Sequence, residues 1–256
     1  MSEEQIKDLY PFLPTSVIRL ARKNSRQDLR SKNERTDSAK TGDEYAFSSS
    51  RSKFGNFDLD IGEFILSYFN REKKRTVDPF AGWGERGLAA KNLAIPYTGL
   101  DISKEAISYA KEQYNIDNSL VNSTHMPFES DSFGFSFTCP PYWNLEKYES
   151  VEGQLSDYVA YGDFLAALGV VVRETGRVLS TGSLCSWVIA DFRWRGEFYD
   201  FSADVSNIFK YNSFSVFDKI IIDKSSRYRI PLFMPQAHRL GYTVKLHEYI
   251  IVWKNL

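Results

Sequence analysis

Two short stretches carry residue types suited to chemistry rather than packing. The first is Val77-Asp78-Pro79-Phe80-Ala81-Gly82-Trp83-Gly84, and the second is Phe137-Thr138-Cys139-Pro140-Pro141-Tyr142-Trp143-Asn144. In the first, Gly82 and Gly84 let the backbone turn sharply and approach a ligand with no Cβ in the way. About twenty residues on, Gly99-Leu100-Asp101 ends the next apolar run, where a carboxylate can accept hydrogen bonds from ribose hydroxyls. A plain structural turn is the alternative, but glycines plus a correctly spaced acid read as a nucleoside-cofactor site. Gly82-x-Gly84-x-x-Gly87 also fits the dinucleotide fingerprint, yet Asp78-Pro79-Phe80 before it is foreign to nicotinamide sites. An acid at that position suits a cationic ligand, such as a sulfonium or an amino group.

In the second stretch, Pro140 and Pro141 remove two backbone donors and fix φ at both positions. Their carbonyls are then rigid acceptors, and Tyr142 offers a flat face beside them. A rigid acceptor next to a stacking surface suits a planar ring bearing an exocyclic amino group. A Pro-Pro loop with a core aromatic is the bland alternative. Cys139 as a covalent nucleophile fits poorly, because that chemistry places the cysteine after a proline and needs an acid partner.

The elements that must position these stretches alternate in type. Thr76 to Phe80, Tyr97 to Ile102, Phe133 to Thr138, Leu184 to Ala190, Val216 to Ile222 and Glu248 to Trp253 read as strands. Ile61 to Tyr68, Glu85 to Asn92, Ser103 to Tyr114, Tyr158 to Glu174 and Phe201 to Phe209 read as helices, with Ser103 a plausible cap. The alternation predicts an α/β fold with a mostly parallel sheet, whose ligands bind at the carboxyl ends of the strands. Both chemical stretches fall at such ends.

Asp78-Pro79-Phe80-Ala81-Gly82-Trp83-Gly84 with Cys139-Pro140-Pro141-Tyr142 resembles the amino-group DNA methyltransferases, from about Ser50 to the C-terminus. Arg177-Val178-Leu179-Ser180-Thr181-Gly182 and His247-Glu248-Tyr249-Ile250-Ile251-Val252-Trp253-Lys254 resemble further stretches of that family. The resemblance implies a Rossmann-like fold of seven strands, the last antiparallel, with helices on both faces. It implies S-adenosylmethionine as cofactor, held by Asp78, Phe80, Gly82, Gly84, Asp101 and Asn122. It implies methyl transfer to cytosine N4 or adenine N6 of a flipped base, with Cys139, Pro140, Pro141 and Tyr142 as catalytic residues and Trp143 beside the base. Duplex DNA and a cognate restriction enzyme are the implied partners. The motif order resembles the γ arrangement, while the C-terminal part resembles the β type, as in a circular permutant. Where the family carries Asp, Asn or Ser before Pro-Pro, this chain has Cys139, nearest in shape to Ser, and sulfur is a weak acceptor. An RNA amino-group methyltransferase and a catalytically silent DNA-binding relative are the competing readings.

With Lys+Arg at 32 and Asp+Glu at 33 across 256 residues, the net charge of -1 argues against a global grip on nucleic acid. The basic residues are local instead: Arg22 to Lys40, Arg193 and Arg195, and Lys224 to Arg239 with Arg227 and Arg229. Cations among aromatics suit phosphate contact and base stacking. Residues 1–50 therefore read as a polar, basic extension and 51–256 as one catalytic domain, with DNA-contacting insertions at 191–200 and 224–245. Cys139 and Cys185 are too few for a disulfide framework or structural zinc, and His125, His238 and His247 are scattered, so no metal is expected. No apolar run reaches membrane-spanning length, and acidic, polar Met1 to Asp8 is no signal peptide. The expected setting is a reducing cytoplasm.

Overall fold

The computed structural model describes residues 15–20, 57–145, 151–227 and 234–256. The basic stretch from Arg22 to Lys40, and Arg229 with it, lies outside these residues. In chain order the elements are β1 (Val17–Arg19), α1 (Leu59–Phe69), β2 (Thr76–Asp78), α2 (Glu85–Asn92), β3 (Tyr97–Asp101), α3 (Lys104–Tyr114), β4 (Ser119–Leu120) and β5 (Phe133–Thr138). There follow α4 (Tyr161–Val178), β6 (Leu179–Ile189), β7 (Phe192–Trp194), β8 (Glu197–Tyr199), α5 (Phe201–Tyr211), β9 (Phe214–Asp223), α6 (Met234–Leu240) and β10 (His247–Asn255).

One eight-stranded sheet runs in the order β1-β9-β10-β6-β5-β2-β3-β4, and β7 with β8 forms a separate hairpin. Every pairing in the large sheet is parallel except those of β10, which runs antiparallel to both β6 and β9. The expected seven strands with an antiparallel last strand are present. The eighth is β1, which pairs parallel with β9 through Val17–Ile221 and Arg19–Asp223. It arises in the stretch read from sequence as an extension, where three residues are too short to show a period.

The central strands β2, β5 and β10 are largely buried on both faces, as a sheet covered on both sides requires. In β10, Ile251 and Trp253 join one core with Leu168, Val171, Trp187 and Phe209, beneath α4 and α5. Ile250 and Val252 join the other, with Ile61, Phe64, Ala89 and Phe137, beneath α1 and α2. Helix α3 is capped as its sequence promises, the Ser103 side chain accepting from the Ala106 amide. Helix α4 runs one turn past Glu174, because Thr175 and Val178 are buried and continue its apolar stripe. This arrangement sets β2 between β3 and β5, so the glycine turn, Asp101 and the Pro-Pro turn leave three neighbouring parallel strands at the same end.

Candidate active site

The glycine turn follows β2 and opens α2. Gly82 and Gly84 have φ of +55° and +97°, the left-handed region that side chains avoid. A Cβ on Gly84 would also lie 2.6 Å from the Ala110 Cβ of α3, so close packing of the turn demands glycine there. Asp101, at the end of β3, accepts from the Gly82 amide at 2.7 Å through Oδ2 and from the Ser103 amide at 2.9 Å through Oδ1. Each carboxylate oxygen can accept a second donor, so acceptor capacity remains for a hydroxylated ligand. Burial pulls the Asp101 carboxyl above its usual range, and the two amides only partly offset this. Asn122, after β4, folds its Oδ1 onto the Thr124 amide and hydroxyl. The backbone of Gly153 lies so close that a Cβ there would come within 2.3 Å of the Asn122 Nδ2. Ser123 ties the same loop to the glycine turn by donating to the Pro79 carbonyl at 2.6 Å. Phe80 is half-buried, its ring set edge-on to Trp187.

Asp78 does not match its expected part as an open acid for a cation. It is fully buried. Its Oδ1 accepts from the Phe80 amide and the Thr138 hydroxyl, and its Oδ2 from Arg86 Nε at 2.7 Å and the Tyr97 hydroxyl at 2.8 Å. Four donors fill the acceptor capacity of a carboxylate, so Asp78 organises the turn from within. Arg86, which sequence reasoning missed, also donates to the Phe80 carbonyl. Burial alone would lower the guanidinium, but the adjoining Asp78 carboxylate outweighs it and holds Arg86 above its ordinary value. Burial, reinforced by Asp78, likewise pushes the Tyr97 hydroxyl well up. No periodic signal marks Arg86, which falls inside an otherwise ordinary helix.

The second turn leaves β5. Cys139 and Pro141 are half-buried and Pro140 is buried. Tyr142 is half-buried, braced by Phe192 at 6.1 Å and Phe201 at 5.7 Å between ring centroids. Trp143 corrects the expectation of a ring beside the base. It is 6% exposed, its indole N–H donates to the Tyr158 carbonyl at 2.9 Å, and its ring packs on Tyr161 and Tyr199. An aromatic whose polar edge and faces are all engaged is a core residue. Tyr161 in turn donates to Asp204 at 2.8 Å, and burial followed by that bond raises its hydroxyl.

The β7–β8 hairpin follows β6 directly. Arg193 lies over the rings of Phe198 at 5.2 Å and Tyr242 at 4.6 Å, and donates to the Gly196 carbonyl. Lys245 lies over the same Phe198 ring at 4.9 Å, and Phe198 is 42% exposed. Arg195 is exposed at the hairpin turn, beside Trp194. The insertions at 191–200 and 224–245 therefore meet in one cation–aromatic patch. Arg227 ends a short 3-10 helix, Ser225–Arg227. No cluster of metal-ligating side chains is found among the described residues, nor is any helix there long and apolar enough to cross a membrane.

No protein-family model matches this chain, and no curated protein matches it. Solved structures do match in shape. The [4+2]-cyclase SpnF superposes with a TM-score of 0.55 at 15% identity, over 77% of this chain and 81% of its own. An S-adenosylmethionine-dependent methyltransferase from Methanosarcina mazei gives 0.53 at 14% identity, over 75% of this chain and 97% of its own. Geranyl diphosphate methyltransferase, in complex with S-adenosylmethionine, gives 0.52 at 14% identity, over 77% and 85%. The chain has the Rossmann-like fold of these methyltransferases. A cyclase shares that fold, so the chemistry must be argued from the site.

Proposed function

We propose that this protein is an S-adenosylmethionine-dependent methyltransferase that modifies the exocyclic amino group of a flipped cytosine (N4) or adenine (N6) in DNA. The observation that carries the reading is the placement of the two turns. The glycine turn and the Cys139-Pro140-Pro141-Tyr142 turn leave adjacent parallel strands at one end of the sheet and are bonded together through Asp78. The left-handed glycines and the spare acceptor capacity of Asp101 fit a nucleoside with free ribose hydroxyls. When bound, S-adenosylmethionine supplies an electrophilic methyl on a sulfonium.

The protein's own part is to bind, orient and exclude water. Asp101 accepts from the ribose hydroxyls, Gly82 and Gly84 bring the backbone close, and Asn122 with Phe80 walls the cofactor side. Tyr142 stacks the flipped base, and Cys139 with the Pro140 carbonyl directs its amino nitrogen. Such positioning can supply about 7–11 kcal/mol of the barrier, against a flipping cost of a few kcal/mol. Arg195, Lys245 and the exposed Phe198 ring serve the phosphates and flanking bases, with Arg193 held rigid between two rings. By sequence, Arg227 and Arg229 are assigned to further phosphate contacts. A basic binding face on a molecule of net charge -1 explains how the two coexist.

Incubation with radiolabelled S-adenosylmethionine and duplex DNA, single-stranded DNA or RNA tests the reading. Label in DNA amino groups is the expected result, and base-resolution sequencing assigns cytosine or adenine. Transfer to RNA alone, or cofactor binding with transfer to no nucleic acid, overturns it.

A further inference from the structure

The backbone ladder between β2 and β5 stops at Val77–Ser136. Beyond that rung β2 and β5 pair only with their outer neighbours, Asp78 with Gly99 of β3 and Thr138 with Trp187 of β6, and the next tie between β2 and β5 is made by side chains. The Thr138 hydroxyl, on the last residue of β5, donates to Asp78 Oδ1 at 2.5 Å. Asp78 and Thr138 are both fully buried, so water does not compete for this bond. From Asp78 the network passes into the glycine turn through the Phe80 amide and into α2 through Arg86. Thr138 immediately precedes Cys139.

Satisfying the carboxylate does not require this hydroxyl. Asp78 already holds an arginine, a tyrosine hydroxyl and an amide. Nor does packing require it, since valine has the same shape. What the hydroxyl adds is a direct tie between the two turns at a level where β2 and β5 no longer share a ladder bond. We propose that Thr138 is a positioning residue: through the buried Asp78 carboxylate it sets the Cys139-Pro140-Pro141-Tyr142 turn at its working distance from the cofactor turn. Its functional meaning rests on the methyl-transfer reading above.

The test compares wild type, Thr138→Val and Thr138→Ser by hydrogen exchange with and without S-adenosylmethionine, and by methyl transfer to DNA. In wild type the cofactor slows exchange in both 80–86 and 142–145. In Thr138→Val the first segment is still protected and the second is not, and Thr138→Ser restores it. Turnover of Thr138→Val falls tenfold to a hundredfold with the cofactor KM unchanged, since a misplacement of about 1 Å can cost on the order of 10²-fold. Wild-type protection of 142–145 in Thr138→Val, or wild-type turnover, overturns the proposal. Protection that depends on Thr138 but accompanies no methyl transfer to any nucleic acid leaves the bridge standing and removes the DNA reading. Absence of cofactor protection at 80–86 in wild type removes both.

Discussion

The turn after β2 is held by charge and directed hydrogen bonds, whereas the turn after β5 is held by prolines and packed rings. Asp78, Arg86 and Tyr97 satisfy one another beneath the first, with Asp101 fastening Gly82 above. Under the second, Trp143, Tyr161, Phe192, Tyr199 and Phe201 pack ring against ring. A bonded turn suits a ligand that is always the same, because each donor and acceptor is pre-set. A turn resting on rings braces one half-buried aromatic, Tyr142, against Phe192 and Phe201, which suits a planar guest. On the proposed function, neighbouring residues Tyr142 and Trp143 divide the work: Trp143 anchors the turn from the core, and Tyr142 is assigned to the guest.

That division is broken most strongly by Trp143→Ala, which should destabilise the fold by about 3–5 kcal/mol, read as a lower urea midpoint. A variant with native stability and selective loss of DNA binding would return Trp143 to the substrate side. Next, Tyr142→Ala should cost about 1–3 kcal/mol of base stacking, seen as turnover reduced roughly tenfold to a hundredfold. Calorimetry should find cofactor affinity nearly unchanged, and a parallel loss would place Tyr142 with the first turn instead.

The bonded turn is sharpened by pH. Burial raises the Asp101 carboxyl, so on acidification it takes up its proton at a higher pH than a free aspartate. The ionised form is the better acceptor. Cofactor affinity should therefore be full above that raised value and fall as pH drops through it. Asp101→Asn should weaken binding by about 1.5–3 kcal/mol and flatten the profile. An unchanged profile in Asp101→Asn would show that another group governs it. The smallest effect belongs to the surface patch. Arg195→Ala should leave turnover at saturating DNA intact and reduce the salt slope of DNA affinity by about 1. Salt-independent binding in wild type would exclude a phosphate role for the patch.

Legibility in the sequence followed the range of the interaction. Helix α2 and strand β5 have the predicted bounds, because period and glycine punctuation are local signals. The network of Asp78 was hidden because its partners stand 8, 19 and 60 residues away. Trp143 was misread because an aromatic after Pro-Pro-Tyr looks the same whether exposed or buried. Tyr158, Tyr161 and Tyr199, fifteen or more residues on, decide the matter. The hairpin residues Arg193 and Arg195 were legible as basic, but not the meeting of Phe198 with Lys245 from a distant segment.

The short strand β1 has a consequence for how copies of this protein treat one another. It covers only Ile221 to Asp223 of the ten-residue β9. From Phe214 to Ile220, no other described strand pairs that edge. Exposed Val216 and Phe217 make it a template on which a second chain could add a strand. Two devices spoil the template: a bulge where the register with β10 shifts between Val252 and Trp253, and the adjacent charges of Asp218 and Lys219. The sheet thus guards its open side against self-assembly, partly by a borrowed strand and partly by an irregular, charged rim.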